Sequence, residues 1–417
     1  MPNGSRNLLQ TGLEQAMPPS RNFGSHISEL DGIRGIAILT VLLYHLFCYS
    51  MLRGSWTGLA QIAVRATRNL SHGVDLFFVL SGFLITGILL DSCLDPHYFR
   101  NFYARRALRI LPLYYAVLLV ILLCYRNSGS YVLLSFFHLS NISTILGISM
   151  VNGAIWSLSV EEHFYLFWPC IVRKLTLRNL ALVAAMVWLI EPLARCIAFP
   201  YVHTVFPYTW FRLDGIASGA LIACFVRSSR YSLPRAKHMA IVLACLGLLL
   251  EIVGSPWSIR QHQTRFGATF EYPPIDLICA AIVLWAASMS GRPEAHIFRL
   301  WPLRLSGDLS YCLYLCHCMV MDAFDTGWKL LGHSAATMNF GGIVVRAAAV
   351  LAVSFIIALI SRAVIERPAL RAKRFFEPDT TTGLPPRAPD RKSLDLSLWP
   401  KSTPARSRDS RPVTSGS

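Results

Sequence analysis

The sequence predicts an all-α fold, a polytopic transmembrane bundle of about ten helices with both termini in the cytoplasm. Three observations carry this expectation. The 417 residues are 54% hydrophobic and only 15% charged, against about 25% charged in soluble domains. The mean hydropathy is +0.46. Repeated apolar runs are separated by short segments whose basic content alternates.

The runs fall near 33–50, 73–93, 110–125, 156–172 and 179–198, then 213–226, 239–253, 275–290, 306–324 and 342–365. A span needs about 20 apolar residues. The pair near 213 and 239 is short, and its boundaries are the loosest. Residues 131–149 are also apolar but would spoil the charge alternation, so they are expected as a reentrant or interfacial segment. With ten spans one side collects Arg100, Arg105, Arg106 and Arg109, then Arg173 and Lys174, then Arg227, Arg230 and Arg235. Cytoplasmic loops carry the excess of Lys and Arg. That rule places this side, and both termini, inside, although Arg53, Arg65 and Arg68 lie on the opposite side. The same rule accounts for the net charge of +16. No basic stripe with interleaved aromatics points to nucleic acid.

Outside the spans the chain is polar. Residues 1–27 have no apolar core segment, so no cleavable signal peptide is expected, and they read as a disordered cytoplasmic tail. Residues 377–417 are rich in Pro, Ser, Thr and Arg and read as a second disordered tail, too short to fold as a further domain.

The eleven cysteines sit mostly within apolar runs, where a free thiol acts as a small apolar group, and no disulfide framework is expected. Cys312, Cys316, His317 and Cys318 form a denser cluster. No second set of ligands lies at a matching spacing, so no metal site is expected there.

Ionisable residues at membrane depth mark functional sites. Arg34 and His45 are eleven residues apart, about three helical turns and about 16 Å, which puts them on one face about half a bilayer apart. Arg106 and Arg109 fall at the same inner level as Arg34. Asp75, Glu161, Glu162, Arg212 and Asp214 fall toward the outer half, and His317 near the middle of its span. Imidazole titrates near neutrality, so His45 is the natural general base for moving a hydroxyl proton. Asp75 or Glu161 is placed to orient it, as the acid does in a hydrolase triad. Ser157 and Ser159 offer hydroxyl donors to an oxyanion. Ser81 is a candidate nucleophile or, beside Gly82, a packing residue. Guanidinium groups grip phosphate in a bidentate way, which suits the inner arginines to a phosphate-rich donor, although topology alone would also require them. The same residues would serve a proton-coupled transporter, but no repeat relates the two halves of the chain.

Four blocks carry a resemblance. Glu29-Leu30-Asp31-Gly32-Ile33-Arg34-Gly35 through His45 is similar to the opening of the membrane-bound acyltransferase 3 family. Gly73-Val74-Asp75-Leu76-Phe77-Phe78 through Ile85, Phe102-Tyr103-Ala104-Arg105-Arg106-Ala107-Leu108-Arg109, and Trp156-Ser157-Leu158-Ser159-Val160-Glu161-Glu162 resemble its next three signatures. Weaker echoes follow at Arg212-Leu213-Asp214, at Tyr311 to His317 and at Glu366. Three positions depart from the pattern. His163 stands where glutamine is usual, Cys316 where an aromatic is common and Met319 where proline is common.

The resemblance implies an acyltransferase 3 transmembrane domain over 28–376 in the bacterial inner membrane. It implies O-acylation, acetylation above all, of a cell-surface or secreted carbohydrate hydroxyl. The co-substrate would be an acyl-CoA such as acetyl-CoA, with no bound cofactor. By the same resemblance His45, with Glu161 and Glu162, would serve catalysis, and Arg34, Arg106 and Arg109 would hold the donor. The partners implied are the lipid bilayer and the carbohydrate acceptor.

Overall fold

The structure is a computed structural model that describes residues 27–49, 58–199, 201, 207–254, 264–332 and 339–376. The tails expected at 1–27 and 377–417 lie outside it, save for Ile27. Among the described residues there are helices and turns and no strand.

Helix α1 (Ser28–Leu43) continues through a wider turn, Tyr44–Tyr49, of π-helical geometry. Then follow α2 (Gly58–Thr67), α3 (Gly73–Asp91), α4 (Tyr98–Cys124), α5 (Gly129–Phe136), α6 (Ile155–Lys174) and α7 (Leu177–Ala198). The second half holds α8 (Leu213–Val226), α9 (Leu233–Gly254), α10 (Arg265–Phe270), α11 (Tyr272–Ser288), α12 (Trp301–Asp308), α13 (Ser310–Leu330), α14 (Phe340–Ser361) and α15 (Arg367–Arg371).

Among the described residues, seven helical stretches are long and apolar enough to cross a membrane: Ser28–Cys48, Gln61–Asp91, Tyr98–Cys124, Leu177–Ala198, Leu233–Gly254, Arg265–Ser288 and Phe340–Arg371. The other three expected spans coincide with α8, α6 and α13. Helix α8 has only 14 residues. The other two are 20 and 21 residues long but carry Glu161, Glu162 and His163, or His317, Asp322 and Asp325. These polar residues lower the hydropathy of the two helices. The apolar run at 131–149 forms only the 8-residue α5 followed by turns.

The helices sort into an inner set and an outer set. Helices α7, α9 and α14 expose Leu189, Ile190, Leu193, Ile252, Val345 and Ile360, an apolar skin of the kind lipid covers. Helices α1, α3, α8 and α11 are buried against one another, with Ile33, Val79, Ala223 and Val283 at their core. Helices α3 and α8 are in close contact at Gly82 and Gly219. A Cβ on Gly82 would lie 1.9 Å from the Ile216 carbonyl oxygen, and one on Gly219 1.9 Å from that of Val79. Only glycine permits this approach, and it brings Ser81 to the rim of the space between α1, α3, α4, α6 and α13.

Two polar clamps tie neighbouring helices together. Glu29 accepts from the Gly291 N–H at 2.8 Å and the Ser290 hydroxyl at 2.9 Å, tying the start of α1 to the turn after α11. Asn152 donates to the Leu315 carbonyl oxygen at 3.0 Å and accepts from the Ala154 N–H at 3.0 Å. That pair sets the start of α6 against the middle of α13.

Candidate active site

Helices α1, α3, α4, α6 and α13 enclose a cavity of about 320 Å³. Arg34, Arg106 and Arg109 line it together with Ser81, Glu161 and Tyr314. The three arginines come from α1 and α4, one helical turn apart on α4, and converge as their shared inner level requires. Arg34 is held by Asp31 at 3.0 Å across one turn of α1. The Arg106 guanidinium lies 4.0 Å from the centre of the Tyr165 ring. Its Nε is buried without a hydrogen-bond partner among the described residues. An anion is the natural complement to such a donor.

Glu161 reaches this cavity and not His45. Its Oε1 accepts from the Ser81 hydroxyl at 3.1 Å and its Oε2 from the Tyr165 hydroxyl at 2.6 Å. Ser81 is therefore a hydrogen-bonding residue of the cavity, while Gly82 supplies the helix packing. Glu162, one residue on, points elsewhere, and its Oε1 is buried without a hydrogen bond among the described residues. Ser159 faces away too, bonded to the Ser140 hydroxyl at 2.8 Å.

Toward the π-helical end of α1 the cavity stops at the Tyr314 ring. Tyr314 packs edge-on to Phe77 with ring centres 6.0 Å apart. Its hydroxyl is 2.6 Å from that of Ser157. Behind it lies His317, whose ring centre is 6.0 Å from that of Tyr314 and 4.9 Å from that of His45. The two histidine rings thus meet, while Asp75 and Glu161, read from the sequence toward the same half of the bundle, are bonded elsewhere.

Their tautomers follow from main-chain contacts. His45 Nδ1 lies 2.9 Å from the Val41 carbonyl oxygen. His317 Nδ1 lies 3.0 Å from that of Leu313 and 2.9 Å from that of Tyr314. A carbonyl only accepts, so each Nδ1 carries the proton and each Nε2 carries the lone pair. For His45 a backbone carbonyl takes the part expected of Asp75 or Glu161. The π-helical turn around His45 is a distortion that recurs at functional sites.

Asp75 belongs to a different structure. Its Oδ1 pairs with Arg212 and its Oδ2 accepts from His72 Nδ1 at 2.9 Å. The Arg212 guanidinium stacks over Tyr272 at 3.8 Å. Nearby, fully buried Arg195 donates to Asp214 and to the Phe211 carbonyl oxygen, both at 2.7 Å. This buried ionic cluster joins α3, α7 and α8, and breaking one member leaves an uncompensated buried charge.

Two participants had no role assigned from the sequence. Tyr165 lies one turn after Glu161, and Tyr314 three residues before His317, so helical spacing placed each on its partner's face. A third sits outside the spans. Lys373, in the turn Ala372–Phe376 packed on α4, is pushed down to about 7 by burial and by Arg109, Arg106, Arg105 and Arg34 beside it.

The acyltransferase-domain family profile matches residues 27–359. The chain belongs to the acyltransferase 3 family. It is 27% identical to "Peptidoglycan O-acetyltransferase OatA" of Listeria monocytogenes, over 70% of this chain and 49% of the relative. It is 29% identical to "Putative peptidoglycan O-acetyltransferase YrhL" of Bacillus subtilis, over 70% of this chain and 48% of the relative. The chain thus spans about half the length of these relatives. No solved structure matches it.

Proposed function

We propose that this chain is a membrane O-acetyltransferase that moves an acetyl group from an acyl-CoA to a hydroxyl of a cell-wall carbohydrate. The observation that carries the reading is the cavity itself. Four arginines line it, Arg34, Arg106, Arg109 and, paired with Asp91, Arg227, and Tyr314 bounds it one aromatic layer from the His45–His317 pair. The relatives are named as a peptidoglycan O-acetyltransferase and a putative one, which favours transfer over proton-coupled transport.

The basic loops support an orientation with both termini and the arginine end on the cytoplasmic side. Arg34, Arg106 and Arg109 hold the donor phosphates there. The acceptor oxygen attacks the thioester carbonyl carbon while His45 Nε2 takes its proton. The tetrahedral oxyanion accepts from the Tyr314 hydroxyl once that hydroxyl leaves Ser157, whose own proton goes to the Ala154 carbonyl oxygen. It collapses with loss of coenzyme A thiolate, to which His45 returns the proton. Glu161 positions Ser81 and Tyr165 along the cavity. Asp75, through Arg212, keeps α3 against α8 and so acts on position and not on protons. The Tyr314 ring must turn aside for the thioester to meet His45.

The test is His45→Ala in a bacterial host whose wall glycan O-acetylation is followed by NMR. Loss of the acetyl signal at normal protein level is expected. An unchanged signal would remove His45 from the chemistry.

A further inference from the structure

Cys318 adjoins the histidine pair and has no part in the transfer scheme. Its Sγ lies 3.3 Å from His317 Nε2. The ligating atoms of His45, His317 and Cys318 all lie within 4.8 Å of one another. Spacing along the chain gives no hint of this grouping, because His45 joins the other two from a helix more than 260 residues away. Cys312 and Cys316 are turned aside. They face each other at 3.7 Å, one turn apart on α13.

We infer that His45, His317 and Cys318 form a binding site for Zn2+, with two imidazoles and one thiolate as ligands. Three features fit that ion. Nitrogen and sulfur donors select Zn2+ over oxygen-seeking Mg2+ or Ca2+. Both Nδ1 protons are donated to main-chain carbonyls, the outer-sphere arrangement that fixes a ligating imidazole with its Nε2 lone pair outward. Zn–N and Zn–S bonds of about 2.0–2.3 Å set tetrahedral ligand atoms about 3.3–3.7 Å apart, and the Cys318–His317 pair already has that spacing. Binding releases the thiol proton to solvent and leaves a fourth position for water. It also occupies the His45 lone pair. A zinc-loaded site cannot take a hydroxyl proton at His45, so the metal is an inhibitor. Binding is independent of the transfer reading, and only this consequence rests on it.

The site is tested with Co2+ as a spectroscopic stand-in, titrated under reducing conditions into the full chain in lipid nanodiscs. One equivalent should give the visible bands of tetrahedral cobalt with a sulfur-to-metal charge-transfer band, and Zn2+ should abolish both. Cys318→Ala should lose the charge-transfer band, and His317→Ala should lose the tetrahedral signature. Cys312→Ala should retain both. Cys318→Ser, which keeps the side-chain size, guards against a variant that fails to fold, with monodisperse elution as the check. A wild-type protein with no charge-transfer band, or a Cys318→Ser protein that keeps it, overturns the site. In a transfer assay one equivalent of Zn2+ should suppress the wild-type rate but leave Cys318→Ser at its own metal-free rate. Cobalt binding as described beside absent transfer would keep the site and remove the proposed function.

Discussion

The two ends of the site are built in opposite ways. The arginine end is open space lined by Arg34, Arg106 and Arg109 from α1 and α4 and by Arg227 from the end of α8, with Lys373, from beyond α15, beside the first three. Nothing but the shape of the bundle brings them together. The histidine end is packed: His317 is fully buried, and both rings are held by carbonyls of their own helices. On the proposed reading, the end that admits a large anionic donor is assembled from long side chains around a void. On the same reading, the end that holds a proton acceptor in one tautomer is assembled from local backbone. Tyr314 divides them, with its hydroxyl on Ser157 and its ring against Phe77.

The comparison breaks most visibly at His45. Removing a general base costs about 100-fold or more in rate. His45→Ala should therefore lower kcat by at least that factor in a reconstituted transfer assay while leaving the donor KM near wild type. Arg106→Ala should do the reverse. A charge-assisted hydrogen bond contributes about 1.5–3 kcal/mol, so the donor KM should rise about 10- to 100-fold with kcat little changed. If Arg106→Ala lowers kcat alone, the cavity is not the donor site.

Smaller effects sharpen the boundary between the ends. Tyr314→Phe keeps the ring and loses the bond to Ser157, a neutral hydrogen bond that contributes about 0.5–1.5 kcal/mol. A fall in kcat of about 2- to 10-fold is expected, and no change would take the hydroxyl out of oxyanion binding. Lys373 gives the mildest effect, read through pH. Its ammonium is held down to about 7 by burial and the neighbouring arginines, and a bound anion favours the charged form. Donor affinity should thus be greater below pH 7 and fall as pH rises through 7. Lys373→Met should flatten that slope, measured as donor KM between pH 6 and 8.

The parts legible in the sequence were those set by helix period and depth. The spacing of Arg34 and His45, the shared level of Arg106 and Arg109, and the approach of His317 all follow from where a polar residue falls along an apolar helix. Partner choice was not legible. Asp75 pairs with Arg212, 137 positions on, and Glu161 with Ser81, 80 positions back. Each carboxylate had several cations or hydroxyls at the right depth, and only the rotation of α3, α6 and α8 about their axes decides among them. Depth is a one-dimensional coordinate, and ion pairing inside a bundle needs the other two. The span count shows the same limit. Hydropathy passes the lipid-facing helices α7, α9 and α14 but not α6 and α13, which carry the acids and histidines.

The most direct test of the division of labour is binding of coenzyme A by calorimetry, in nanodiscs, to the wild type, His45→Ala and Arg106→Ala. The account predicts that His45→Ala binds as the wild type does while transferring nothing, and that Arg106→Ala loses about 10- to 100-fold in affinity. Wild-type affinity in Arg106→Ala, or a comparable loss in His45→Ala, would contradict it.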